Sequence, residues 1–575
     1  MTNARVYTGN PGQPRATAIA ICNNRIVATG NDDEINTIAL PGAQHLDLRG
    51  AFVLPGLTDA HMHLEWTGLA MQRIDLDEVP SIAEAVRRVR ARAQTTAKGE
   101  WIQGWGWQQS IWGGQFPTAG QLDAATHDHP VLLRAKSGHA AWLNTIALGM
   151  AHITRDTPDP EGGQIVRDER GEPTGVLLED AMRLGLDVIG GPTADQAEEA
   201  TLGAMHAMNA KGLTGVHCMD GVGGIETFGT YQRLRERRVS TLRVCKQLPV
   251  QSLEHVTRSG LRSGFGDAWL RIGGIKVFTD GALGPKTAWM VEPFENEPAN
   301  RGIAIYDPEQ LVEFVQKAHA AGLSITTHAI GDRANHEILN AFSAARTPAL
   351  PGPSKPRGPW PLKGPPFDAV RPVMAPRRAT CGRSRGHLGA GLGVPGVRAA
   401  GLRDRIEHAQ VLQPDDIARF AQLDVIASVQ PIHATQDMRM VDAYWGPKRG
   451  RYAYAFRDLL TSGARLALGS DAPVETFDPL VGIHAAVTRE RKDGLPAGGW
   501  YPAQRLTVEE AIYGYTLGAA YAAYSEHELG SIEPGKLADL TVLSHDLTVI
   551  PAHDILNVSV ERVMVDGAWV YGPAS

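Results

Sequence analysis

Short β-branched apolar runs alternate with longer segments of helical spacing through most of the chain, a pattern that predicts parallel β/α units. Residues 323–328, 405–408 and 465–471 read as strands, and each ends on an ionisable side chain where the strand gives way to a loop. An α/β barrel carries its chemistry at that end of its strands. Residues 81–93 and 307–321 read as helices, the second opening on Asp307-Pro308-Glu309, an N-cap followed by a first-turn proline and an acid. The two ends of the chain differ from the middle. Residues 17–29 form two β-branched runs around Asn23-Asn24, and a similar pair near the C-terminus flanks Asp566-Gly567. Both predict hairpins, and the two ends are expected to share one small sheet domain.

Two segments do not fit a plain barrel. From His63 to Lys276 there are 213 positions, whereas three units of an eight-unit barrel need only ~90. The surplus predicts a cap inserted over about residues 66–185. Trp101, Trp105, Trp107 and Trp112 lie within it and are candidates to line an apolar substrate pocket, with packing between cap and barrel as the other reading. The second segment, about 347–400, holds 11 Pro and 9 Gly in 54 residues, with nine basic side chains and one acid. That composition opposes regular structure. An active-site lid, a disordered insertion and an out-of-frame reading of a GC-rich gene all fit it.

Composition narrows the function classes. At 575 residues, 43% hydrophobic and 21% charged, the chain is long enough for several domains and ordinary for a globular protein. Its formal charge of −7 supplies no basic field, so neither nucleic acid nor an anionic membrane is an expected partner. Four dispersed cysteines without a Cys-x-x-Cys pair fit a reducing, cytoplasmic setting. No apolar segment approaches the ~20 residues of a membrane span. A small-molecule substrate is the expected partner, with homo-oligomerisation left open.

The candidate chemistry begins at His61-Met62-His63 after a strand-like run. Strand side chains alternate with period two, so both imidazoles point the same way and can chelate one metal ion. Alone, such a pair is weak. It gains weight from His328, His408 and Asp471, each at the end of a later strand. Imidazole and carboxylate ligands suit zinc or a similar divalent ion. Five ligands exceed the need of one tetrahedral ion, so two metals are expected, with a group bridging them. Lys276 is the candidate bridge: an apolar strand lowers the pKa of its amine, and the neutral amine reacts with carbon dioxide to give a two-oxygen carbamate. Pairing of Lys276 with Asp280 or another acid is the competing reading.

The ordered motifs resemble the amidohydrolase superfamily. The strings Leu-Pro-Gly-Leu-Thr-Asp-Ala-His-Met-His, Lys-Val-Phe-Thr-Asp-Gly-Ala-Leu-Gly, His-Ala-Ile-Gly-Asp-Arg-Ala-Asn, Arg-Ile-Glu-His-Ala-Gln and Gly-Ser-Asp-Ala-Pro-Val-Glu are similar to the amidohydrolase family 3 branch. That branch includes N-substituted formamide deformylase and proteins labelled exoenzyme regulatory. The resemblance spans nearly the whole chain and departs from it at the Pro/Gly/Arg-rich stretch before His408. It implies an α/β fold: a (β/α)8 TIM barrel over 53–525 with its metal site at the strand C-terminal ends. It also implies a β-sandwich built from 1–52 and 526–575.

By the same resemblance, His61, His63 and Asp471 hold one zinc ion and His328 and His408 the other, with carboxylated Lys276 between them. A metal-bridging hydroxide would attack an amide or N-formyl carbon outside a peptide backbone, and Asp471 would pass the proton to the leaving nitrogen. His139, in Gly-His-Ala-Ala-Trp-Leu-Asn with Trp142, resembles a position that reaches the substrate, and it is expected to be catalytic. His217 and His433 end further strand-like runs and are expected to bind substrate. Asp332 and Arg333 are expected to organise the loop after His328. A catalytically silent regulatory or binding protein of the same fold is the alternative. No Gly-x-Ser-x-Gly elbow or Walker-type loop supports another enzyme class.

Overall fold

Eight strands run parallel in one sheet. They are β1 (Leu57–Met62), β2 (Leu213–Cys218), β3 (Arg243–Pro249), β4 (Leu270–Phe278), β5 (Ser324–Ala329), β6 (Arg405–His408), β7 (Ile426–Val429) and β8 (Leu466–Leu468). Each pairs with the next in chain order. The last meets the first just past its end, where Asp471 N donates to His61 O (2.7 Å) and His63 N to Ala472 O (2.8 Å). The result is a nearly closed eight-stranded parallel barrel. The structure is a computed structural model and describes residues 1–77, 79–109, 111–135, 140–160, 163–221, 227–284, 286–346 and 401–573. The Pro/Gly/Arg-rich stretch at 347–400 lies outside the described residues, and so does His139.

Burial on both faces explains the near-continuous apolar runs read from the sequence. Every residue of β5 is buried. Polar side chains inside the ring find partners there, as where Thr326 donates to Gln247 Oε1 at 2.9 Å, which offsets their desolvation. The helix Pro308–Ala320 leads into β5, and the Asp307 side chain accepts from Gln310 N while Gln310 reaches back to the cap. Such a capping box satisfies two donors that the first helical turn leaves open.

The chain divides into two compact units, Met1–His63 with His206–Ser575, and Leu64–Met205. In the first, both chain ends contribute to one six-stranded sheet. Its order is Arg15–Ala16, Arg5–Tyr7, Phe52–Pro55, Leu540–Leu543, Val560–Val565 and Ala568–Tyr571. The hairpin Ala18–Cys22/Arg25–Gly30 pairs separately and turns through Asn23 at φ 56°. Ile19 and Ile26 of this hairpin share a core with Val6, Val53 and Val542. The hairpin and the six-stranded sheet thus contribute to one shared core. Arg243, at the start of β3, donates to both Asp539 carboxylate oxygens (2.6 and 2.8 Å) and to Asp566 (3.1 Å), tying the barrel to the terminal sheet.

The second unit, inserted between β1 and β2, contains its own six-stranded mixed sheet. Its core is aromatic. Trp107 and Trp112 stack at 5.8 Å, and Trp142 meets both edge-on. Their indole nitrogens donate to the carbonyls of Leu133, Val79 and Thr118. Trp142 was expected at the substrate, but it is wholly buried in this core. Trp105 is 43% exposed, so the tryptophans form no single pocket wall. Among the described residues, no helix is long and apolar enough to cross a membrane.

Candidate metal centre

His61 lies on β1 and His63 just beyond it, and the period of two brings both rings to the same side, each Nε2 3.4 Å from Asp471 Oδ1. The second Asp471 oxygen is 3.4 Å from His433 Nε2. His433 sits in the short helix Pro431–Gln436 after β7. His408 joins it: donor atoms of His408, His433 and Asp471 lie within 4.8 Å of one another, as do those of His61, His63 and Asp471. The His328 and His408 rings meet edge to face at 4.6 Å. Two of these residues depend on unusual backbone. His408 has φ 72° and Asp471 φ 63°. In a regular strand His408 would point away from the side Glu407 occupies, and the left-handed turn brings both inward, at a cost of about 1–3 kcal/mol.

Four of the imidazoles are held through one ring nitrogen. His61 Nδ1 donates to Glu407 Oε2. His408 Nδ1 donates to Gln430 Oε1 at 2.8 Å, and His328 Nε2 to Gly281 O at 2.9 Å. His63 Nδ1 lies 3.5 Å from Asp220, whose carboxylate accepts from Tyr231 at 2.9 Å. Tethers of this kind fix the tautomer and leave the other nitrogen's lone pair for a metal.

The charges agree with that role. Burial drives His328 down to about 3, with help from the Lys276 cation, and drives His408 well below its usual value, aided by His328 and His61. Both rings are therefore neutral, the form that ligates. Burial likewise lowers Lys276 to about 8 against the opposing pull of Glu407 and Asp471. For His63, Asp220 and Asp471 outweigh burial and raise it to about 9. His433 also rises to about 9, because Asp471 and Asp437 overcome burial. Burial would raise Asp471, but His433, His61 and His63 hold it well below the usual carboxylate range. Histidinium held against one carboxylate by several partners is an arrangement that a divalent cation can replace. At 3.4 Å from Asp471 Oδ2, the buried His433 Nε2 makes no well-formed hydrogen bond to any described residue. The donor set, imidazole nitrogens and carboxylate oxygen with a neutralisable lysine, fits a divalent metal of the zinc type.

The cluster opens on a cavity of about 360 Å³. His61, His63, Lys276, His328, His408 and Asp471 all line it, and so does His433. His433 stands against Asp471 as a potential ligand, a role its position after a strand did not announce. His217 does not reach the cavity. It is buried in the barrel interior, where Nδ1 accepts from Arg405 at 2.8 Å; burial and that guanidinium keep it neutral. Asp280 is not the partner of Lys276 either. Its carboxylate accepts from the backbone N–H groups of Trp289, Ile330 and Gly331. Asp332 accepts from Val291 N at 2.8 Å and starts the helix after β5, so it organises the loop. Glu407, Asp220 and Gln430 escaped the sequence reading. Glu407 directly precedes His408, and Asp220 follows a strand end by two residues, signals that only the barrel context makes specific.

Comparison with known proteins places the whole chain. The sequence model of the amidohydrolase family matches residues 44–366 and 390–571, so the interruption falls inside the Pro/Gly/Arg-rich stretch. Protein LONG AFTER FAR-RED 3 from Arabidopsis thaliana is 33% identical, over 99% of this chain and 91% of its own length. N-substituted formamide deformylase from Arthrobacter pascens is 26% identical, over 99% and 97%. An uncharacterised metal-dependent hydrolase from Pyrococcus horikoshii has a solved structure that superimposes with a TM-score of 0.74 at 26% identity, covering 96% of this chain and 98% of its own. With a nearly closed parallel barrel, a histidine and aspartate cluster at its strand ends and a match along nearly its full length, the chain belongs to the amidohydrolase family of hydrolases.

Proposed function

We propose that the protein hydrolyses a carbon–nitrogen bond outside a peptide backbone, in an amide or N-formyl group, at a centre of two divalent metals. The observation that carries this reading is the convergence of His61, His63, His328, His408 and Asp471 with buried Lys276 on one cavity. His61, His63 and Asp471 would hold one ion and His328 and His408 the other, with Lys276 as a carbamate between them. Zinc suits these donors. When bound, the ions polarise a carbonyl and bring the pKa of water toward neutrality.

The chain's own groups do the rest. With its amine lowered to about 8, Lys276 is roughly one-tenth neutral at pH 7. The neutral amine attacks carbon dioxide and loses a proton to give the carbamate. Asp471, whose Oδ2 faces His433 at 3.4 Å, would take a proton from the attacking water and return it to the leaving nitrogen. Phe278, Leu283, Ile330, Met440 and Val474 line the cavity beside the cluster and favour an apolar substituent on the substrate. The volume suits a small molecule.

Elemental analysis of the purified protein should find two metals per chain, and a panel of N-formyl and N-acyl amines should be hydrolysed until a chelator is added. His61→Ala with His63→Ala should abolish metal content and turnover while leaving the circular dichroism spectrum unchanged. Tight metal without turnover across the panel would favour the silent regulatory protein. No metal after reconstitution would sink the centre itself.

A further inference from the structure

The barrel interior beneath the cluster holds an arginine that is 1% exposed and a glutamate with no exposure at all. Both come from β6, two positions apart, so both point into the ring. Arg405 forks onto Glu407, Nε to Oε1 and Nη2 to Oε2, the second at 3.1 Å. Its Nη2 also donates to Ala60 O on β1 (2.5 Å) and to Ser428 Oγ on β7 (2.6 Å). Its Nη1 donates to His217 Nδ1 on β2 (2.8 Å). One guanidinium thus fastens β1, β2, β6 and β7 at a single level. Glu407 Oε2 then receives Nδ1 of His61, whose Nε2 faces Asp471 at 3.4 Å.

From this geometry we infer that Arg405 and Glu407 are positioning residues for the metal centre: a buried ion pair that sets the tautomer, orientation and donor strength of His61. Packing alone does not account for the pair. A buried ion pair is weak as a source of stability, and apolar side chains of similar volume commonly replace one without loss. Here the carboxylate oxygen not fully used by the fork is aimed at a ligand's second nitrogen. Arg405 fills that carboxylate's remaining acceptor sites from a direction that keeps it turned toward His61. The Ala60 carbonyl it grips belongs to the residue immediately before His61, so side chain and backbone of the ligand are held by one group. His217, buried without access to the cavity, becomes intelligible as an acceptor that completes the guanidinium's contacts. A negative carboxylate behind an imidazole raises its basicity toward a cation, and loss of such a partner typically costs about 10–100-fold in metal affinity.

This inference rests on the metal-centre reading, and the test separates the two. Zinc affinity of the full chain is measured by chelator competition, and the absorption of the cobalt(II)-substituted protein reports ligand geometry independently of turnover. Glu407→Gln keeps a hydrogen-bond acceptor but drops the charge. It should bind zinc about 10–100-fold more weakly and shift the cobalt bands, with near-native circular dichroism. Because Glu407→Gln strands a buried cation, the neutral pair Arg405→Met with Glu407→Gln is measured beside it. The pair should recover thermal stability but not zinc affinity, the divergence a purely structural role would not give. Parent-like affinity and cobalt spectra in either folded variant would overturn the positioning role while leaving the centre standing. Absence of zinc binding by the parent would overturn both.

Discussion

Removing the Asp539 carboxylate should loosen the join between barrel and terminal sheet by an amount the structure allows to be worked out. Arg243 makes four polar contacts: two to Asp539, one to Asp566 and one to Ala268 O at 3.0 Å. Its guanidinium also lies over Trp269, 4.9 Å from the ring centroid. Arg243 and Asp539 are nearly fully buried, whereas the Asp566 side chain is 28% exposed. Asp539→Ala therefore takes away half of the contacts and the better-buried half of the countercharge. Breaking a buried pair from one side costs about 3–5 kcal/mol, and the surviving Asp566 puts this case near ~3 kcal/mol. At about 2 cal/mol/K per residue, a unit of this size unfolds with an entropy near ~0.9 kcal/mol/K, so Tm should fall by about 3 °C. Differential scanning calorimetry of the parent, Asp539→Ala and Asp539→Asn measures this, and Asn, which keeps an acceptor, should lose less. Zinc affinity should not change, since Arg243 begins β3 while the cluster sits at the opposite ends of the strands, ~20 Å away at about 3.3 Å per residue. A melting point for Asp539→Ala equal to that of the parent would refute the reasoning, because the contacts would then stabilise nothing.

Two further outcomes are expected. Trp142→Ala should destabilise the inserted unit by about 3–5 kcal/mol, seen as earlier unfolding in a thermal scan; Trp142→Phe should leave KM for a hydrolysed amide unchanged, and a large change in KM would return Trp142 to the substrate. Burial pushes the Cys245 thiol up to about 11, so alkylation followed by mass spectrometry at pH 8 should label half-buried Cys22 and spare Cys245. Since the unfolded thiol ionises first, the Cys245 contribution to stability is intact below pH ~9 and declines as pH rises toward 11; a Cys245→Ala variant should show a flatter loss of stability across that interval.

The candidate site residues that could be read from the sequence were those whose geometry is local. His61 and His63 share a side because a strand has period two, and strand ends in an alternating β/α pattern mark where a barrel keeps its chemistry. The hairpin at Asp566-Gly567 was legible for the same reason: Asp566 at φ 56° and Gly567 at φ 79° are residue types that accept the left-handed turn. What escaped were relations across the ring. Nothing near Glu407 in the chain says that it stands behind His61, 346 positions away. His217 and His433 look alike in sequence, each closing an apolar run. One turns inward to an arginine while the other is carried by a short helix to Asp471. The tryptophans could not be assigned from the sequence because aromatic density signals a pocket and a core equally well, and only burial separates the two.

The backbone bonds that join the last strand end to the first are made by candidate ligands, His61 with Asp471 on one rung and His63 with Ala472 on the next. The centre therefore straddles the seam of the barrel, joining a strand made early in synthesis to one made some 400 residues later. A nascent chain lacking its last barrel strand possesses the histidine pair but not the carboxylate that unites them. Acquisition of the metal would then serve as a readout of completed topology, and a chain that failed to close would be left without its cofactor as well as without its fold.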